Sequence, residues 1–237
     1  MVGRSVLLPS GYEFDFGFGQ PHFPAGINGR IIGGEPTRMA VEESIAAADG
    51  IFRVWSAVIG DPASFPMLDG QYPVNAAGRA VVADWNPYDN PLLRCGTVAM
   101  PRIMNTAFPF EFVRDGNNIR MVFEAGDSER YVYMNDSGTP PEQHTAMGFS
   151  RGRFEGSTLV VETDRVAAGY FDRDGVPHSE DIHIIERFTP TGDYSRLNYR
   201  ATITDPEYFD GTFDITRYFA WQPGDFVQPY ECVDREY

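Results

Sequence analysis

The chain contains no lysine; all 19 of its basic residues are arginine. That absence excludes a Schiff-base lysine, a pyridoxal-phosphate lysine and a phosphate-loop lysine. Arginine forks onto planar anions and stacks on rings, but it does not titrate usefully. Acid–base chemistry is left to four histidines (His22, His144, His178 and His183), the carboxylates and the tyrosines. Cysteine is nearly as scarce. With only Cys95 and Cys232 present, an all-cysteine zinc site and a cysteine-ligated iron–sulfur cluster are excluded. One disulfide is open to an oxidising compartment, and two buried thiols are the expectation for a cytoplasmic chain. No run of about 18 apolar residues exists to span a bilayer as a helix. The segment SVLLP near the start is too short for the core of a signal peptide. The expectation is therefore a cytoplasmic protein, or a secreted or periplasmic one if a signal has been removed. Cationic surface is also in deficit. There are 34 acidic residues and a formal charge of −15, which argues against nucleic-acid and anionic-membrane partners.

What is present fits one large domain, since 237 residues leave ample chain for a core. Residues 1–36 read as an N-terminal arm rich in Gly, Pro and aromatics, without helical period or stable strand. Tyr12, Phe14, Phe16, Phe18 and Phe23 would cover the domain or a neighbouring subunit, so the arm suggests a homo-oligomer. The alternative is a loose tail. A helix is expected over 37–49, capped by Thr37 and ended by Gly50. An irregular insertion follows at about 60–106, with one short helix over 76–84. From residue 108 short strands are expected at 110–114, 119–124, 130–134, 147–154, 158–163, 181–188, 196–204 and 213–221, preceded by one at 51–59. Turn chemistry joins them at Asp115-Gly-Asn-Asn, Glu155-Gly-Ser and Thr191-Gly-Asp. Eight or nine such strands predict an all-β fold, an antiparallel up-and-down barrel over 37–237, because closure removes the exposed edges.

Alternation along each strand assigns faces. Leu197, Tyr199, Ala201 and Ile203 share one face. The face carrying Ile182, Ile184 and Phe188 also carries Glu180 and Glu186. The face carrying Phe213, Ile215, Phe219 and Trp221 also carries Arg217. Buried charges are costly unless paired, so these inward charges mark the place to look for a site.

Residues 148–188 and their surroundings carry a resemblance. The runs GFSRGRFEGSTLVVET, VPHSEDIHIIERF and ATITDPEYF, with NAAGRA (75–80), NPLLRC (90–95), MPRIM (100–104) and YEC (230–232), resemble a large family of mostly secreted, poorly characterised bacterial proteins. That family has GRWEGDTLVVET and HSEALHVVERF motifs. The resemblance covers about residues 50–237. Phe149 stands where the family usually has histidine, and Phe154 where it has tryptophan. A mostly β fold is what the resemblance implies; it names no reaction. Gly50-Ile-Phe-Arg-Val-Trp55 followed by a late-strand Arg217 also resembles the calycin, or lipocalin-like, signature. That likeness implies a tryptophan packed beneath the arginine as a structural cation–π plug.

The densest polar cluster is His178-Ser-Glu180-Asp-Ile-His183. On a strand His183 points away from His178 and Glu180, so no metal site is expected. The GFSRG run matches a nucleophile-elbow pattern on paper, but a strand follows it where a helix is required. No cofactor is expected. The favoured reading is a cofactor-independent lyase or isomerase acting on a hydrophobic, aromatic (phenolic) small molecule. Retro-aldol release of a small carbonyl and dehydration would both suit it. His178, Glu180 and Glu186 would move protons, and Arg102, Arg153 and Arg217, with Tyr131, Tyr133, Tyr199 and Tyr218, would bind the substrate. Arg153 with Glu155 reads equally as a surface pair. The alternative function is a non-catalytic, lipocalin-like binder of hydrophobic small molecules.

Overall fold

The structure is a computed structural model that describes residues 5–7, 13–15, 38–66, 72–230 and 232. Two three-residue strands, β1 (Ser5–Leu7) and β2 (Glu13–Asp15), pair antiparallel. The expected arm otherwise lies outside the described residues, as does the Thr37 cap. Helix α1 spans Arg38–Ala47, and Gly50 then takes a positive φ of 60° to turn the chain into the barrel.

Nine strands close the barrel: β3 (Val54–Ser56), β4 (Phe110–Asp115), β5 (Asn118–Phe123), β6 (Ser128–Met134), β7 (Phe149–Glu155), β8 (Thr158–Asp164), β11 (His183–Pro190), β12 (Arg196–Thr204) and β13 (Thr212–Trp221). A separate two-stranded ladder, β9 (Gly169–Tyr170) with β10 (Pro177–His178), stands outside the ring. Each barrel strand neighbours those next to it in sequence, so the fold is the expected all-β meander barrel. One seam differs: β6 and β7 run parallel. Strands that alternate in direction around a ring close without a parallel pair only when their number is even. With nine, one parallel seam is unavoidable, and residues 135–148 carry the chain back so that β7 runs in the same direction as β6, with Ser150 opposite Val132.

The two barrel ends are built differently. Tight connections at 115–118, 155–158 and 190–196 close one end. There Trp55 donates its indole N–H to Ile51 O at 2.9 Å. The Arg53 guanidinium lies 4.2 Å from the Trp221 ring centre, 5.1 Å from Tyr194 and 5.9 Å from Trp55. The arginine that meets Trp55 is therefore Arg53. The expected Trp55–Arg217 plug does not form, because Arg217 lies over Phe219 and Phe65 instead.

The other end carries long connections, described over 57–66, 72–109, 165–182 and 205–211, which form a cap. Helix α2 (Ala76–Ala83) sits there, with Asn75 as its N-cap accepting from Gly78 N at 3.0 Å. Backbone bonds from Asn75 N to Tyr208 O and from Asp210 N to Pro73 O fasten the cap to the 205–211 connection. Gly78 permits the approach, since a Cβ there would come within 2.9 Å of Tyr208 O. Short 3-10 turns follow at Pro91–Arg94 and Arg102–Asn105. Cys95 and Cys232 are joined in a disulfide with their Cα atoms 5.7 Å apart. The expectation of two free thiols is corrected: the segment after β13 returns to the cap at Cys95, which sequence spacing does not reveal.

The barrel interior is filled. Trp55, Phe110, Phe112, Met121, Phe123, Leu159, Phe188, Leu197 and Phe219 are each at most 2% exposed. Burial of such side chains stabilises by about 1.5–3 kcal/mol apiece. Their rings meet edge to face, as in Phe110–Phe219 at 4.8 Å and Phe112–Phe188 at 5.3 Å.

Candidate functional site

Inside this apolar filling lies one charged pair. Arg130, on β6, and Glu186, on β11, are 1% and 0% exposed and form a two-pronged ion pair. Arg130 Nη1 donates to Glu186 Oε1 at 3.2 Å, and Nη2 donates to Oε2. Every other edge of the pair is occupied. Arg130 Nε donates to Ser150 Oγ at 2.9 Å and Nη2 to Thr163 Oγ1 at 2.7 Å. Tyr199 donates its hydroxyl to Glu186 Oε1 at 3.0 Å. The set comes from five strands whose inward positions register together: Met121 opposes Arg130, Val161 opposes Glu186, and Phe188 opposes Tyr199. Burial, and then the Glu186 charge, hold the Tyr199 phenol well above its ordinary pKa. A buried ion pair survives when its remaining hydrogen-bonding capacity is met, and here it is.

A second buried cation is not met in this way. Arg217 stands opposite Tyr199 across β12 and β13 and is 4% exposed. Its Nη1 donates to Met104 O at 2.7 Å and to Asn105 Oδ1 at 3.1 Å. The rings of Phe219 and Phe65 lie 4.6 and 5.5 Å from its guanidinium carbon. Its Nε and Nη2 are buried without a hydrogen-bond partner among the described residues. Desolvation brings the Arg217 pKa down to about 10. A cavity of about 10 Å³ adjoins it, lined by Pro101, Met104, Asn105, Phe171, Tyr199, Ala201, Ile215 and Arg217. That volume is on the order of one water molecule. Barrel strands supply one wall and the cap supplies the other.

A third unusual group lies in the cap. His178 on β10 is 1% exposed. Its Nδ1 faces Ser179 O at 3.3 Å and its Nε2 has no partner among the described residues. Gly169 lies against it, where a Cβ would stand 3.0 Å from Nε2. Desolvation pushes the imidazole pKa down. Asp205 organises the neighbourhood by accepting from Ser179 N at 2.7 Å and Ser179 Oγ at 2.8 Å.

The expected proton relay is not assembled. Glu186 faces inward as expected, and its partner is Arg130. Glu180 does not face inward: its side chain is 56% exposed and lies 3.6 Å from His144. The reason is that β11 begins only at His183, so alternation cannot be extended back to residue 180. His178 belongs to the cap, on a different ladder from Glu186.

The substrate-binding set also divides. Tyr199 and Arg217 share the cavity. Tyr131 and Tyr133 lie on the outer face of β6; Tyr131 is 44% exposed and its hydroxyl donates to Glu129 Oε2 at 3.1 Å. Tyr133 stacks on Phe149 at 5.2 Å. The faces of β6 are thus the reverse of the expectation, with Arg130, Val132 and Met134 inside. Tyr218 points away from the interior, donates to Asp61 and is covered by Arg196 at 3.6 Å. Arg102 is buried in the cap and donates to Asn90 Oδ1 at 2.9 Å. Desolvation lowers its pKa against the opposing pull of Asp172 and Asp174. Arg153 pairs with Glu155 at 2.8 Å on the surface, and an exposed pair of this kind contributes little. Among the described residues no group of three or more His, Cys, Asp and Glu could hold a metal ion.

Arg130, Ser150 and Thr163 were missed by the residue-level reading. The signal for Arg130 is that it is in step with Val132 and Met134, which are buried with it on one face of the strand. Comparison of the chain with protein-family models, with curated proteins and with solved structures gave no match.

Proposed function

We propose that the protein binds a small, largely apolar molecule at the junction of barrel and cap. One observation carries this reading: the cavity wall is mostly apolar, formed by Pro101, Met104, Phe171, Ala201 and Ile215, yet three polar groups converge on it, from Asn105, Tyr199 and Arg217. Such walls with a few placed polar groups are the usual character of small-molecule sites. Among the described residues the barrel interior is filled by side chains, which favours this junction as the place for a ligand. Any molecule larger than water needs movement of the cap residues Met104 and Phe171, and methionine adapts readily to such changes. Ligand-detected NMR with a panel of small acids, amides, alcohols and phenols tests the reading. Binding is expected to wild type and to be lost in Ala201→Met, whose side chain fills the cavity. Failure of every panel member to bind wild type contradicts the reading.

A second reading keeps the cofactor-independent lyase or isomerase acting on a phenolic molecule. Its specific support is Tyr199, which lines the same cavity and is hydrogen-bonded to buried Glu186. In that case Tyr199 is the proton carrier and Arg217 holds the developing anion. Tyr199→Phe would then lower turnover by about 100-fold or more while leaving ligand binding in place. The Cys95–Cys232 disulfide supports a place in an oxidising compartment, periplasmic or secreted.

A further inference from the structure

The geometry points to a carboxylate as the group that Arg217 receives: the protein's ligand is a small monocarboxylic acid whose carboxylate docks side-on against Arg217 Nε and Nη2. This rests on the reading of the cavity as a ligand site and adds the chemical class. A guanidinium is planar, and Nε–H and one Nη2–H project in parallel from the same edge. This fork matches two coplanar oxygens in bidentate contact. In Arg217 the opposite nitrogen, Nη1, is committed to Met104 O and Asn105 Oδ1. The two unpartnered nitrogens are Nε and Nη2, the pair that forms the side-on fork. The cap thus fixes the orientation of the guanidinium through Nη1 and leaves its side-on edge, on a residue that lines the cavity, without a partner among the described residues.

The same barrel contains a control. Arg130 is equally buried, but its Nε is taken by Ser150 and its two outer nitrogens by Glu186 and Thr163. The fold therefore supplies an internal carboxylate for one interior arginine and none, among the described residues, for the other. Nearly all buried donors find partners in native proteins, and an exception calls for an explanation. Ring contacts with Phe65 and Phe219 temper the charge but accept no hydrogen bond in the plane of the guanidinium.

Charge and size narrow the class further. One unneutralised cation in an apolar wall is balanced by a monoanion. A phosphate dianion would bury a surplus negative charge, which is costly. Tyr199 cannot serve as a ready second donor, because its hydroxyl proton is directed to Glu186. The cavity is small, about 10 Å³, which restricts the ligand to a small head group.

The test uses the full chain and measures its melting temperature and ligand affinity with sodium acetate, acetamide and sodium chloride at matched ionic strength. Acetate should raise the melting temperature saturably, whereas acetamide, of the same shape without charge, and chloride should not. Arg217→Lys keeps the charge and loses the fork, and acetate affinity should fall by roughly tenfold or more. Arg217→Met should abolish the acetate effect. Near-UV circular dichroism checks that each variant folds. If neither folds, the wild-type arginine Nε–H signals in ¹H–¹⁵N spectra decide the matter. Acetate must shift the Nε–H resonance that contacts the Phe219 ring, and an unshifted resonance overturns the proposal. If acetamide binds as well as acetate, the cavity remains a ligand site but the carboxylate assignment falls. If neither acetate nor acetamide binds, the carboxylate assignment falls, and binding of the alcohols and phenols of the wider panel decides whether the cavity remains a ligand site.

Discussion

Glu186→Gln should be among the most damaging single substitutions in the barrel. The change preserves shape and removes the charge that faces Arg130. Both side chains are at most 1% exposed, so solvent cannot compensate the cation that remains. Breaking a buried pair by removing one partner costs about 3–5 kcal/mol. For a chain of this length 1 kcal/mol moves the melting temperature by about 2–4 °C, so the expected drop is roughly 6–20 °C. The measurement is urea unfolding, followed by both fluorescence and far-UV circular dichroism, with the slope compared to confirm that only the midpoint moves. The companion variant replaces the pair as a unit: Arg130→Met with Glu186→Leu. It should recover most of the loss, because the desolvation penalty of both charges disappears together. Ser150 and Thr163 retain one another at 2.9 Å. Tyr199 loses its acceptor, which leaves a residual cost of about 1–3 kcal/mol; adding Tyr199→Phe should remove it. A Glu186→Gln variant within about 1 kcal/mol of wild type would refute the reasoning, as would a Met/Leu pair less stable than the single variant.

Two further expectations follow from the cap. Burial lowers the His178 pKa, so the unfolded chain binds this proton more readily than the folded one. Stability should be at its full value above about pH 6.5, the ordinary histidine value, and should decline as pH falls from there towards the lower folded-state pKa; His178→Asn should show a shallower decline over pH 6.5–5 in parallel unfolding titrations, and identical slopes would remove His178 from the account. Cys95 and Cys232 are 137 residues apart in sequence, a long loop whose closure restricts the unfolded chain, so Cys95→Ser with Cys232→Ser should cost about 2–5 kcal/mol; an unchanged urea midpoint would show that the disulfide closes nothing of consequence.

Much of the barrel is legible in the sequence because alternation and turn residues act locally. The strand at Arg196–Thr204 has the expected bounds, and its inward face of Leu197, Tyr199, Ala201 and Ile203 is the buried one. Glu186 and Arg217 stand out as charges in step with apolar neighbours, and both are inside. What alternation cannot supply is which inward charge meets which. Glu186 finds Arg130 across the barrel, 56 residues away in sequence. Strand β6 shows the other limit. In SERYVYM either face can be read as apolar, and only its register with β5, placing Arg130 opposite Met121, decides between them. Glu180 fails for a simpler reason, since it precedes the strand to which it was assigned. The cavity itself depends on Met104 and Asn105 returning from the cap to meet β13, a contact between segments more than 100 residues apart that no local pattern encodes.

The most direct test of the central claim is a high-resolution crystal structure of the full chain with acetate, read at the Arg217 edge. The account predicts a planar group with one oxygen on Nε and the other on Nη2, Nη1 still bound to Met104 O and Asn105, and Met104 or Phe171 displaced to make room. A single spherical water at the fork in the presence of saturating acetate, or a protein carboxylate occupying it, would contradict the account.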